Sequence, residues 1–465
     1  MTAPTHLLFP VETINRELDY RLAMAVLAAR EDNRIYIGLH DTLMRVAKRL
    51  RGGVYLGKSV IRPHFPNALD DYHALKERGF VFIHFDTEGA VYPGTEHRWR
   101  QILCQRLDPR HLECEDYVCT WGDFQRDVYR SLEPACHDNI RTTGHPRFDL
   151  YRPRWRQFYE EEARQLRARF GDFLLINTNL ARANNRLGPD FVFSAYNGYR
   201  PAELDSRLHT VQEWAYKNQQ LSHFVRLVHR LHLVFPEVPV VVRPHPSEEP
   251  AFYETVFQGL QNVHVLHEGP VAPWLLACRC MIHDGCTTGL EAYLGDAKVI
   301  NFSPVDDPCQ ELFLPNQFGV RCREEDGVVD CLIELFHGHG GRTPFDDPPL
   351  VDNRARRLLY NLCDDSFPAM LEILDEAQAK VEHSEAPPDL TLQAEEAFYE
   401  TVESLKGLVR PLSPLHRRTA AYSRGKFPGL DKVDIATRLS RLEEVTGRSV
   451  NHQVLSRGLM IVEKK

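Results

Sequence analysis

The 465-residue sequence lacks the features that would place it in a membrane, a fibre or a small disulfide scaffold. No stretch approaches the roughly 18–20 uncharged apolar residues that cross a bilayer as a helix, which excludes a transmembrane span. Met1 to Pro10 has neither a basic start nor a long apolar core, so no secretory signal is expected there. The 11 cysteines, scattered from Cys104 to Cys363, match no disulfide framework. With no export signal, they predict reduced thiols in a cytoplasmic protein. Cys278 and Cys280 are followed by no second pair at zinc-ribbon spacing, so they read as core residues and no metal site is expected. Basic residues are in deficit: 56 Lys and Arg against 65 Asp and Glu leave a net charge of −9. That balance argues against nucleic acid as a partner. No internal repeat is visible.

What is present is an ordinary globular composition, 43% hydrophobic and 26% charged, at a length that suits two or three domains. Short apolar runs alternate with helical periodicity in two successive series. The first series holds His6–Val11, Arg34–Gly38, Gly53–Leu56, Phe80–Phe85 and Tyr117–Thr120. A helical segment with Leu18, Leu22 and Val26 joins the first two runs, the pattern of a βαβ unit and a parallel sheet. The second series holds Phe173–Asn177, Val238–Val242, Val263–Leu266, Cys280–His283 and Lys298–Phe302, with a long helix around His223–Phe235. Two α/β sheets covered on both faces are therefore predicted. The expected divisions are an N-terminal Rossmann-like domain at 1–150, a helical linker at 151–171, a second Rossmann-like domain at 172–340 and a mainly helical extension at 341–465. Residues 372–403 are rich in acid, whereas 406–448 hold ten Lys and Arg against four Asp and Glu. Such a basic tail reads as a solvated helical face, or as a contact with an anionic membrane surface.

Two elements carry the strongest chemistry. Arg243-Pro-His-Pro-Ser247 follows a buried strand directly, and prolines on both sides stiffen the loop that presents His245. His245 is placed to donate to a phosphate oxygen, with Arg243, Pro246 and Ser247 completing the loop. Some forty residues later, His283-Asp-Gly-Cys-Thr-Thr-Gly-Leu-Glu291 reads as strand end, small-residue turn and helix start. Asp284, Thr287, Thr288 and Gly289 fall where helix-start amides attract phosphate. Glu291, one turn on, is placed to accept from ribose hydroxyls.

In the first half, Glu88 and Asp86 lie in a loop after a strongly apolar strand, and Glu12 follows the first strand. Carboxylates at that edge suit proton abstraction from an acceptor hydroxyl or attack on an anomeric carbon, with Glu88 the first choice and Asp86 the second. Arg16 and Glu17 are read as acceptor or domain-interface residues. Asn177 and Asn179 are candidates for binding sugar hydroxyls or a donor carboxylate. His145 and Arg147, in Gly144-His-Pro-Arg-Phe-Asp149, are assigned to substrate contact and to organising a hinge with Asp149.

The paired elements resemble the nucleotide-binding half of GT-B glycosyltransferases that carry an HP motif. That group includes bacterial transferases using CMP-linked Kdo or sialic acid and the CDP-glycerol-type teichoic acid polymerases. The sequence is most similar to the surface polysaccharide biosynthesis family, through Pro10-Val-Glu12 with Arg16-Glu-Leu-Asp19, Asp86-Thr-Glu-Gly89, Gly144–Asp149, Ile176-Asn-Thr-Asn179 and Thr287–Tyr293, about two-thirds of the chain. The resemblance implies two Rossmann-like domains facing a cleft. It implies no cofactor beyond a nucleotide-sugar donor, with CMP favoured, and a glycan or lipid-linked glycan as acceptor. It also implies chemistry without a metal, and no Asp-x-Asp occurs in the sequence. A CDP-alditol phosphotransferase and a non-hydrolysing nucleotide-sugar 2-epimerase are the alternative activities.

Overall fold

Continuous runs of β-branched and aromatic residues favour strands buried on both faces, the kind a parallel sheet needs. The computed structural model describes residues 4–58, 68–87, 92–307, 310, 312–338, 343–346, 353–382, 384–409 and 425–465. In its first unit such runs form β1 (Thr5–Pro10), β2 (Asn33–Gly38), β3 (Gly53–Gly57), β4 (Phe80–Phe85), β5 (Tyr117–Thr120) and β6 (Ile140–Thr142). The second unit contains β7 (Leu174–Asn177), β8 (Val240–Arg243), β9 (Val263–Val265), β10 (Cys280–His283), β11 (Val299–Phe302) and β12 (Val320–Cys322). The chain ends in β13 (Val450–Ser456) and β14 (Leu459–Lys464).

The two units are built on separate sheets. The first comprises residues 1–158 together with 351–417 and 423–465, and the second is built on 159–350. In the second sheet the order is β12-β11-β10-β7-β8-β9, with every pairing parallel. Order reverses between β7 and β10, a topological switch point of the doubly wound type. In the first sheet the order is β13-β14-β2-β1-β3-β4-β5-β6, and its parallel part reverses between β1 and β3. The fold class is therefore α/β with two doubly wound parallel sheets.

Helix Leu204–Val234 shows why these sheets stay covered. Leu221, Phe224, Leu227, Val228 and Leu231 recur at helical spacing and join one core cluster with Ile176, Val240, Val242 and Ile282. Burying one such side chain contributes roughly 1.5–3 kcal/mol.

The tail departs from the expected helical extension. Helices Ser366–Ala379 and Lys432–Thr446 are present, but the last residues turn back as an antiparallel hairpin. Its second strand pairs antiparallel with β2, Met460 opposite Ile37 and Ile461 opposite Tyr36, which closes one edge of the first sheet. The physical reason is apolar: Leu459 to Val462 are all buried. A second correction concerns the thiols. Parallel pairing of β5 with β6 brings the turns before them together, and Cys114 and Cys136 are bonded there with their Cα atoms 5.0 Å apart.

Candidate active site

In open α/β sheets, ligands bind beyond the carboxyl ends of strands at the switch point. In the second unit those ends are Asn177 on β7 and His283 on β10, which are register partners, with Arg243 paired to Asn177 from β8. Asn177 is buried, and neither its amide oxygen nor its nitrogen finds a hydrogen-bond partner among the described residues. His283 is fully buried with both ring nitrogens unbonded, and burial pushes its pKa down to about 3, so the ring is neutral.

The His245 loop is a compact turn. The Ser247 amide donates to His245 Nδ1 at 3.2 Å, and the Glu248 amide donates to the His245 carbonyl at 2.8 Å. Because Nδ1 accepts, the proton of a neutral ring sits on Nε2. His245 is half-buried and Pro246 is exposed, so this turn meets solvent. Sequence reasoning missed its anchor, Glu248. That buried carboxylate accepts from the Thr178 hydroxyl at 2.9 Å, from the Leu180 amide at 2.9 Å, from the His245 amide at 3.2 Å and from the Tyr253 hydroxyl. It ties the loop after β7 to the loop after β8, across two neighbouring strands. Burial pushes its pKa up, against these hydrogen bonds.

Arg243 takes a different role from the one expected. Its guanidinium donates to the carbonyls of Glu268 at 2.7 Å and Gly269 at 2.9 Å, and it lies 5.3 Å from the Trp274 ring centroid. This geometry fastens the loop after β9, so Arg243 acts as a brace.

The 284–291 segment divides similarly. Asp284 is buried, and burial raises its pKa against the field of Lys217. It accepts from the Ser303 hydroxyl at 3.1 Å and the Tyr216 hydroxyl at 3.3 Å. Asn179 reaches the same turn, donating to the Gly285 carbonyl. Thr287 and Thr288 stand half-buried at the start of helix Thr288–Leu294, with the Thr288 hydroxyl donating to Cys286 Sγ at 3.0 Å. Gly289, expected to admit phosphate, is needed for packing: a Cβ there would fall 2.3 Å from two atoms of the His283 ring. Glu291, expected at a ribose, is buried in the first turn of the helix, which turns it away from solvent.

In the first unit the switch point lies at β1 and β3, and a charged cluster sits just beyond their ends. Lys58, buried after β3, is 3.2 Å from a carboxylate oxygen of Glu12 and 3.7 Å from one of Glu17. Glu17 is buried and accepts from the Glu12 amide at 2.7 Å and the Thr87 hydroxyl at 3.2 Å. Arg16 lies 3.6 Å from Glu17. Lys58 was not foreseen, because a single Lys after a strand reads as a solvated charge.

Asp86, after β4, is buried and gripped by both arms of Arg106 at 2.5 and 2.8 Å. Burial alone would raise its pKa, but the Arg106 charge and hydrogen bonds bring it down to about 2. A base so weak is poorly matched to proton abstraction at neutral pH, and Arg106 already occupies both carboxylate oxygens. Glu88, the first choice, lies outside the described residues.

His145 is also corrected. Its ring is fully buried, with ring centroids of Phe85, Tyr20, Trp121 and Phe148 at 4.7, 5.0, 5.0 and 5.8 Å. Burial, with nearby Arg147, holds its pKa well below the usual range. A sealed, neutral ring does not contact a substrate. Arg147 is buried beside it, 4.9 Å from the Phe148 ring centroid. Asp149 accepts from Asn361 at 2.7 Å and from the Phe367 amide at 2.7 Å, bonds within the first unit. Among the described residues, no group of three His, Cys, Asp or Glu side chains is placed to hold a metal ion, and no helix is long and apolar enough to cross a membrane.

No protein-family model matches the chain, and no curated protein matches it by sequence. Solved structures do resemble it. A single-residue variant of the wall teichoic acid polymerase TagF is 10% identical with a TM-score of 0.46, over 82% of this chain and 89% of that one. The UDP-GlcNAc 2-epimerase of Methanocaldococcus jannaschii is 11% identical with a TM-score of 0.43, over 77% of this chain and 100% of that one. The UDP-GlcNAc 2-epimerase of Neisseria meningitidis, bound to UDP-GlcNAc, is 10% identical with a TM-score of 0.42, over 74% of this chain and 96% of that one.

Proposed function

We propose that the chain is a glycosyltransferase that moves a sugar from a nucleotide donor onto a surface polysaccharide or its lipid-linked precursor. The donor we favour is a CMP-linked ulosonic acid of the Kdo or sialic acid type. The observation that carries this reading is the solvent-reached His245 turn beside the switch point of a β12-β11-β10-β7-β8-β9 sheet. Its Nε2 proton suits a phosphate oxygen, and Thr287 and Thr288 add hydroxyls on the next loop. In the first unit, Glu12 keeps its carboxylate part-exposed at the switch point, against Lys58. Glu12 and Glu88 therefore share the assignment as the groups acting on acceptor or anomeric carbon. The basic stretch 406–448 is proposed to meet an anionic membrane, although residues 410–424 lie outside the described residues.

The test is a thermal-shift series with CMP, CDP, UDP and GDP, with and without EDTA. A ligand bound only by the folded state at about 100-fold over its Kd adds roughly 2.7 kcal/mol. Stabilisation strongest with CMP and unchanged by EDTA supports the proposal; no response to any nucleotide overturns it. Product analysis then separates sugar transfer from alditol phosphate transfer, which leaves an acid-labile phosphodiester, and from epimerisation, which needs no acceptor.

A further inference from the structure

We propose that Lys217 is the cation of a phosphate-binding subsite at the Gly285 turn, deepening the nucleotide-donor reading on which it rests. Lys217 projects from the middle of helix Leu204–Val234; its Nζ lies 5.3 Å from the Tyr216 ring centroid and is buried without a hydrogen-bond partner among the described residues. It meets the turn closely. A Cβ on Gly285, whose φ is +62°, would lie 3.3 Å from that Nζ and 3.3 Å from Gln310 Oε1, which is also buried and unbonded. The glycine thus leaves open the space into which both side chains point.

The backbone of the turn is already held. Gly285 donates its amide to Asn316 Oδ1 at 2.9 Å, and its carbonyl accepts from Asn179. Asp284, next in line, fills its carboxylate with the neutral donors Ser303, Asn316 and Tyr216, and Lys217 acts on it only through its field. Three N–H donors of an ammonium are therefore withdrawn from water with no acceptor from these groups. Such a group is costly to bury unless an anion or water meets it. A phosphate supplies several charge-assisted acceptors at once. The location agrees, because the turn lies directly after β10, one of the two strands at the switch point.

The experiment measures binding of inorganic pyrophosphate, CDP and cytidine to the full chain by calorimetry, for wild type, Lys217→Met and Lys217→Arg. The expected result is a loss of tenfold or more in pyrophosphate and CDP affinity for Lys217→Met, with cytidine unaffected. Lys217→Arg, which keeps the charge and a folded alternative, should retain much of the binding. If Lys217→Met binds CDP and pyrophosphate as wild type does, the Lys217 subsite is overturned while the nucleotide reading stands. If wild type binds pyrophosphate through Lys217 but gains nothing from any nucleoside, the subsite stands and the nucleotide reading falls. If wild type binds neither pyrophosphate nor CDP, the subsite falls, and the nucleotide reading falls with it when CMP also fails to bind.

Discussion

The two units each contain a His–Pro turn, and the two turns share one local geometry with opposite surroundings. At His145 the Arg147 amide donates to Nδ1 at 3.0 Å and the Phe148 amide donates to the His145 carbonyl at 3.0 Å. At His245 the Ser247 and Glu248 amides make the same two bonds, at 3.2 and 2.8 Å. Proline fixes φ at the second position and has no N–H to satisfy, so the turn is encoded locally in both cases. What differs is the support. Asn361 clamps the His145 amide and carbonyl at 2.8 and 3.2 Å, and four aromatic rings enclose the imidazole. The His245 amide instead leans on Glu248, three residues away, and the ring stays half-buried. The same dipeptide is thus a sealed structural knot in one unit and a half-buried, solvent-reached turn in the other. Tertiary context, not the motif, decides which.

The largest expected effect breaks the sealed side of this comparison. His145→Ala should open a cavity among Phe85, Tyr20, Trp121 and Phe148 and destabilise the first unit by about 3 kcal/mol. Chemical denaturation followed by tryptophan fluorescence, to which Trp99, Trp121 and Trp155 of the first unit contribute, measures it. A loss below about 0.5 kcal/mol would mean that the ring is not part of the core.

Next comes acid. Asp86 has its folded pKa depressed to about 2 from an ordinary value near 3.8. It therefore contributes stability that is fully present above about pH 4 and is lost as pH falls through 2. The contribution is about 2 kcal/mol, the scale of a salt-bridged carboxylate. Asp86→Asn should flatten the acid limb of wild-type unfolding between pH 4 and 2. An unaltered acid limb would show that the Arg106 pair is not formed in solution.

Much of the architecture was legible because buried parallel strands are short apolar runs, and ten of them stand where the sequence put them. β6 and β12 each have an arginine at the centre of three residues, Ile-Arg-Thr and Val-Arg-Cys, so neither shows an apolar run. The hairpin of β13 and β14 was hidden for another reason: its partner, β2, lies more than 400 residues away, and nothing local states which edge it joins. At the site, His245 was legible because the prolines around it are local signals. Glu248 was not, since it stands beside Glu249 in Ser-Glu-Glu-Pro. One carboxylate is buried across two loops, whereas the other accepts from the Ala251 amide at a helix start. Lys58 and Lys217 resemble any solvated lysine until the fold encloses them.

A smaller effect, about 2 kcal/mol, is expected from Gly289→Ala, because the new methyl overlaps the buried His283 ring and approaches the Pro315 carbonyl to 2.9 Å. The double variant Gly289→Ala, His283→Ala should recover part of that loss in a denaturation cycle, since removing the ring vacates the contested space. Strict additivity of the two substitutions would refute the contact. Recovery would show that the glycine of this helix start serves packing.

The smallest effect on stability belongs to the presented histidine, and it is the one that sharpens the comparison. His245→Ala removes a half-buried ring whose Nδ1 accepts one amide, so the folded state should lose no more than about 1 kcal/mol. Binding is where the substitution should register. If Nε2 donates to a donor phosphate, losing that charge-assisted hydrogen bond costs roughly 1.5–3 kcal/mol, or about ten- to over a hundredfold in affinity. The paired measurement is a melting curve with and without saturating nucleotide for both alanine variants. His145→Ala should melt early yet keep its nucleotide-induced rise, because its ring is sealed inside the first unit. His245→Ala should melt near wild type and lose most of that rise. Equal behaviour of the two variants, in either direction, would mean that burial does not separate the two turns and that His245 has no part in holding the donor.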